Sequence, residues 1–326
     1  MSNYRIILGL AAILFVVGCK KEPKESEEKK PVRTVVRHDF NADSAYYFVQ
    51  KQVDFGPRVP GTKEHKSAAE WLEKKLGSYT DTIQVQTASA TMYTGTKIPI
   101  YNIIGSFNPE AEDRILLAAH WDSRHIAEKD ADESRKNEPI LGANDGASGV
   151  GVLIELARQL QLANTEKGID IIFFDAEDLG DPNNQETDLD WCLGSQHWSK
   201  NPHVANYTAD YGILLDMVGA PDAVFTYEGY SYRYAAALMT KLWNNGIALG
   251  YDYLFVKKSV GGITDDHKFV IENLGIPMVD IIDLDNNRSH GHPFGHYHHT
   301  HKDNMDVIDK YTLAAVGETV LSVLME

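Results

Sequence analysis

The sequence predicts an α/β fold, a single domain with a mostly parallel, twisted central sheet flanked by helices on both faces. Three observations predict it. Short uninterrupted apolar runs, such as Ile115-Leu-Leu-Ala-Ala and Ile171-Ile-Phe-Phe, read as strands covered on both faces. These runs alternate with longer segments of helical periodicity, which is the pattern of crossover connections between parallel strands. The chemically distinctive side chains fall at the ends of the runs, where sheets of this kind bind ligands.

The elements follow in order. Residues 1–18 read as a secretory signal: a basic residue at Arg5, an apolar run over 6–17 and a small residue, Gly18. The run falls short of the roughly 20 residues that cross a bilayer. Val16-Val17-Gly18-Cys19 has the form of a bacterial lipobox, which would make Cys19 a lipidated N-terminus; the plainer alternative is an ordinary signal that happens to contain a Cys. Residues 19–36 are rich in Lys and Glu and almost devoid of core-forming residues, so they read as a solvated tether. The domain then occupies 37–326. It would be exported and held to the bacterial envelope by lipid alone, with the membrane face left open.

Asn41 or Asp43 can cap a helix reaching about 52, and 62–76 forms a second amphipathic helix after the turn-rich Gly56-Pro-Arg-Val-Pro-Gly61. Strands are expected near 83–87, 98–106, 115–120, 169–174, 212–217, 253–256 and 278–282. Helices are expected near 147–162, 194–200, 232–245, 265–273 and 305–324.

Composition narrows the function. The hydrophobic fraction is 43% and the formal net charge −16. The tether is slightly basic, so the acidity lies in the domain. Such a charge excludes a phosphate-binding face and with it nucleic acid as partner. Once Cys19 is lipidated, Cys192 stands alone, with no disulfide to make and no Cys-based zinc knuckle; a small buried hydrophobe is its simplest role.

The strand ends carry the chemistry. Ala119-His120-Trp121-Asp122 places a His and an Asp on one strand face, so Asp122 can orient the His120 imidazole. Asp145 lies in a Gly-rich loop before a helix, where it could equally be an N-cap. Phe174-Asp175-Ala176-Glu177-Asp178 gathers acids that repel one another unless a cation or hydrogen bonds compensate; along an extended chain Glu177 and Asp178 would face opposite sides. Asp216 ends a further strand. A late loop holds His290, His292, His296, His298, His299 and His301. Imidazole and carboxylate ligands gathered on one sheet edge suit zinc, with a position left open in a catalytic site.

These motifs resemble the zinc aminopeptidase-like exopeptidases and, within them, the glutaminyl cyclases, most of all those of Bacteroidetes-type bacteria. The resemblance runs from about residue 40 to the end. Beyond the acidic motifs it rests on Tyr101-Asn-Ile-Ile-Gly-Ser-Phe-Asn-Pro, Leu215-Asp-Met-Val-Gly-Ala-Pro, Thr264-Asp265-Asp266-His267 and Tyr297-His-His-Thr-His-Lys-Asp-Asn. It implies one zinc held by Asp145, Asp178 and His299. It implies Glu177 as the proton-transferring acid/base, with Asp216 and Asp265 as buried acids beside it and a raised pKa. Phe294, and more weakly Trp198, would wall the substrate pocket. The substrate would be a peptide or protein with a free N-terminal Gln, cyclised to pyroglutamate with loss of ammonia. Two departures stand out. Asp178 replaces the Glu usual in animal cyclases, and His298 replaces their Trp.

Two rivals stay open. A two-zinc aminopeptidase would use His120 and Asp216 for a second metal, with Asp145 bridging and Glu177 activating water. A non-catalytic lipoprotein could use the fold to bind peptides, but it would have no use for Glu177.

Overall fold

The computed structural model describes residues 35–184, 186–288 and 291–326, together with Met1. The signal, most of the tether with Cys19, and His290 lie outside the described residues. Helix α1 (Ala42–Val53) begins at Asn41, whose side chain accepts from the Ser44 N–H. Thr62 does the same for His65 at the start of α2 (Lys63–Gly77). Each cap satisfies an N–H that a helix start leaves unpaired.

The central sheet has six strands in the order β1-β2-β4-β3-β5-β8. Strands β3 (Arg114–His120), β4 (Gly168–Phe174), β5 (Tyr211–Asp216) and β8 (Met278–Ile282) are mutually parallel. The β1 (Thr82–Thr91) and β2 (Lys97–Phe107) hairpin joins antiparallel at β4. The sheet is therefore mixed, with a parallel half that aligns four carboxyl ends along one edge.

The apolar runs divide between two faces by strict alternation. Ile115, Leu117 and Ala119 pack into one core, with Ile171, Phe173, Ile213 and Leu215. Leu116, Ala118, Ile172, Phe174 and Leu214 pack into the other. This period of two is why a parallel strand reads as continuously apolar. Helices α1, α2, α3 (Ser148–Ala163), α5 (Gly229–Ala248) and α7 (Lys310–Leu324) contribute to the first core. Helices α4 (Leu193–Lys200) and α6 (Asp266–Leu274) contribute to the second. Among the described residues no helix is long and apolar enough to cross a membrane.

Two expectations change. The strand near 253–256 is instead β7 (Phe255–Ser259), and it pairs in parallel with an unforeseen three-residue strand, β6 (Phe225–Tyr227), outside the central sheet. The helix expected over 305–324 breaks into a 3-10 turn, Met305–Val307, and α7. Asn304 caps the turn, and Asp309 caps α7 by accepting from the Thr312 N–H at 2.9 Å. Two capping side chains five residues apart stop a continuous helix from forming between them.

Candidate active site

The aligned carboxyl ends of β3, β4, β5 and β8 open into a cavity of about 620 Å3 lined by Asp145, Glu177, Asp178, Asp216, Asp265 and His299, among others. Chain turns rather than strands aim these groups. Ala176, Met217 and His299 adopt left-handed backbone (φ 56, 47 and 56). Such non-glycine outliers cost energy and persist where the surroundings enforce them. The Ala176 turn removes the strand alternation, so Glu177 and Asp178 both face the cavity rather than opposite sides.

Asp122 enforces that turn. Its two carboxylate oxygens accept from the backbone N–H of Glu177 at 3.0 Å and of Asp178 at 3.2 Å. The contact to His120 Nδ1 is longer, 3.5 Å. Asp122 thus acts chiefly on the acidic turn and only secondarily on the imidazole it was expected to orient. Asp175, the third acid of the cluster, turns away and accepts from His65 Nε2 at 2.9 Å and from the Tyr101 N–H at 2.7 Å.

Asp145 is not a helix cap. The residue before α3 is Ala147, with no side-chain cap. The loop is held by Asp303, whose carboxylate accepts from the N–H groups of Asn144 (2.7 Å) and Asp145 (3.0 Å). Gly146 is required next to it. Its φ is +101, and a Cβ there would sit 2.1 Å from the Asp122 carbonyl oxygen.

Asp145, Asp178 and His299, the ligands the resemblance implies, all line the cavity, and Asp145, His298 and His299 offer donor atoms within 4.8 Å of one another. His299 Nε2 lies 3.2 Å from Asp178 Oδ1 and 3.7 Å from Asp145 Oδ2. Ligands about 2.1 Å from a tetrahedral ion lie roughly 3.4 Å apart. Asp145 Oδ2 and Asp178 Oδ2 are buried without a hydrogen-bond partner, which is costly unless a cation meets them. The donor set therefore fits zinc. Burial acts to raise both carboxyls. His120, His299 and Arg124 outweigh it at Asp145, while at Asp178 burial and the Asp145 charge prevail.

A second group lies alongside. His120 Nε2 is 3.2 Å from Asp145 Oδ1 and 3.1 Å from Asp216 Oδ1. Burial opposes a charge on His120, but hydrogen bonds to Asp122, Asp145 and Asp216 raise its pKa well above the ordinary value. Asp216 therefore meets His120 directly rather than Glu177; burial pushes its carboxyl up to about 7 against the pull of that imidazole. Asp265 caps α6 and lies within 4.8 Å of Glu177. Burial raises Glu177 well above the carboxylate range, opposed by His120 and reinforced by Asp265, Asp178 and Asp266. Cys192 donates to Glu177 Oε1 at 3.2 Å.

Phe294 lines the cavity as expected. Trp198 does not. It is fully buried against Phe174 and Tyr207 in the second core, because α4 turns that side chain toward the sheet. The tryptophan of the pocket is Trp191, stacked on His299 with centroids 6.3 Å apart and planes 10° apart. His298 also lines the cavity, packs at a tilt against Phe294 with centroids 4.5 Å apart and meets Lys129 Nζ at 2.7 Å. Trp191, Arg124, Glu128 and Lys129 escaped the sequence reading since they lie in irregular loops. The one available signal was a basic residue, Arg124, directly after the strand-end His-Trp-Asp-Ser.

Comparison with known proteins identifies the family. The peptidase family M28 profile matches residues 102–324. A solved Zn-dependent exopeptidase from Parabacteroides distasonis is 50% identical, with a TM-score of 0.85, over 89% of this chain and 99% of that one. The glutaminyl cyclase of Porphyromonas gingivalis is 50% identical, with a TM-score of 0.84, over 88% and 98%. The glutaminyl-peptide cyclotransferase of Drosophila melanogaster is 26% identical over 280 residues, 78% of this chain and 73% of that one. With the motif residues on one sheet edge and the profile spanning most of the domain, the chain belongs to peptidase family M28.

Proposed function

We propose that this protein is a glutaminyl-peptide cyclotransferase, converting N-terminal Gln of peptides to pyroglutamate with release of ammonia. The observation that carries the chemistry is a buried carboxyl of raised pKa, Glu177, in one cavity with the Asp145, Asp178 and His299 donors. The choice of cyclisation over hydrolysis is supported by the likeness to solved bacterial glutaminyl cyclases at about half identity.

Asp145, Asp178 and His299 would hold one zinc, which supplies Lewis acidity toward the side-chain carbonyl of the substrate Gln. The protein's own groups do the rest. The walls formed by Trp191 and Phe294 hold the Gln side chain folded toward its own α-amine, and that positioning replaces a bimolecular encounter. The amine nitrogen forms a bond to Cδ and the bond from Cδ to the amide nitrogen breaks. Glu177 takes a proton from the amine and returns it to the departing nitrogen, which leaves as ammonia. A raised pKa suits a group that must both take and return a proton. Burial keeps that pKa high, reinforced by the neighbouring Asp265. Ammonia release from Gln-Phe-Ala, lost on chelation and restored by zinc, tests the proposal; no release with zinc present would defeat it.

One observation favours a second reading. His120, Asp145 and Asp216 offer ligand atoms within 4.8 Å of one another, a place for a second zinc and for aminopeptidase chemistry. Metal analysis of the purified protein separates the two. One zinc per chain fits the cyclase, and two fit the peptidase.

The lipobox and tether support export and anchoring through Cys19. Labelled fatty acid should enter the chain and be lost in Cys19→Ser.

A further inference from the structure

We propose that Glu128 and Arg124 form a clamp that positions two zinc ligands from different parts of the chain, His299 and Asp178. Glu128 and Arg124 sit in the loop after β3, four residues apart. Glu128 Oε1 accepts from His299 Nδ1. Its other oxygen accepts from Arg124 Nε at 2.9 Å. Arg124 is fully buried, and its Nη1 donates to Asp178 Oδ1 at 3.1 Å and to the Asp178 carbonyl oxygen at 3.0 Å. The guanidinium lies 4.7 Å over the Trp191 ring, which stacks on His299.

The consequences follow from geometry. A proton on Nδ1, given to Glu128, leaves Nε2 with its lone pair toward Asp145 and Asp178. That fixes both the tautomer and the ring plane of His299. His299 needs such fixing because its left-handed backbone (φ 56) is not secured by regular structure. Arg124 holds Asp178 through Oδ1, the oxygen that also faces His299 Nε2 at 3.2 Å, and so fixes the plane of a carboxylate whose Oδ2 has no other partner. One buried cation thus sets the orientation of both ligands. Neither residue is among those lining the cavity, so both are positioning residues.

The inference rests on the metal-ligand assignment and not on the reaction, so it stands whether the protein cyclises or hydrolyses. Zinc affinity of purified Glu128→Gln, Glu128→Ala and Glu128→Asp is measured by competition with a chromophoric chelator, without substrate. The visible spectrum of the Co2+-loaded proteins and the melting temperature of the metal-free proteins are recorded alongside. Glu128→Gln and Glu128→Ala should bind zinc about 10- to 100-fold more weakly, with an altered Co2+ spectrum and unchanged metal-free melting. Glu128→Asp, which keeps the charge, should recover most of the affinity. Parental affinity in Glu128→Gln and Glu128→Ala, or a loss matched by a lower metal-free melting temperature, would overturn the clamp.

Discussion

Replacing Glu177 by Gln should nearly abolish activity and at the same time stabilise the metal-free protein. The amide has the size of the acid, and its oxygen can still accept from Cys192. What disappears is the transferable proton. General acid/base catalysis is worth roughly 10²- to 10⁴-fold, so kcat should fall by that factor, about 3–5 kcal/mol in the barrier, with KM little changed. The stability effect follows from the raised pKa. Below the unfolded value of about 4.5 both states are protonated and the carboxyl costs nothing. Above it the unfolded chain ionises while the folded one resists, so folding loses about 1.4 kcal/mol per pH unit until the folded pKa is reached. Between pH 4.5 and 7 that amounts to at most about 3 kcal/mol. Urea unfolding of the metal-free proteins should show equal stability near pH 4 and a growing advantage for Glu177→Gln toward pH 7. Activity within tenfold of the parent would refute the proton-transfer role. A stability difference that does not grow with pH would refute the burial argument.

Trp198→Ala should cost about 3–5 kcal/mol of stability by calorimetry, because the ring is fully buried in the second core, while KM for a Gln peptide at 25 °C stays at the parental value. Asp122→Ala removes the acceptor of two N–H groups in the acidic turn and should lower kcat at least tenfold with only a small rise in KM, read by ammonia release. Glu228 pairs with His267 at 3.1 Å. Burial acts to raise its pKa, but that hydrogen bond, the His267 charge and the N–H groups of Ser231 and Tyr230 bring it down to about 2. The ionised form therefore contributes about 3 kcal/mol above pH 4.5, lost as pH falls toward 2; the stability gap between parent and Glu228→Gln should close over that window in urea unfolding.

The sequence makes the parallel half of the sheet legible because buried strands are uniformly apolar, and it makes the candidate ligands legible because His and acids at the ends of such runs are conspicuous. Asp145, Asp178 and His299 converge, and Glu177, Asp216 and Asp265 share their cavity. The misses share one cause. Turn chemistry, not periodicity, decides them: the left-handed Ala176 that puts Glu177 and Asp178 on one side, the Asn304 and Asp309 caps that split the last helix, and the helix rotation that buries Trp198 and leaves the pocket to Trp191. Arg124 and Glu128 take their meaning from partners 54 and 171 residues away, respectively, and one sequence carries no trace of such pairings.

The fate of a peptide's first residue distinguishes cyclisation from hydrolysis. Purified protein with zinc is incubated with Gln-Phe-Ala and with Leu-Phe-Ala, and both are followed by mass spectrometry. One ammonia should be lost from the Gln peptide, with no change in the Leu peptide. Removal of the first residue from either peptide would contradict cyclisation and make the protein an aminopeptidase.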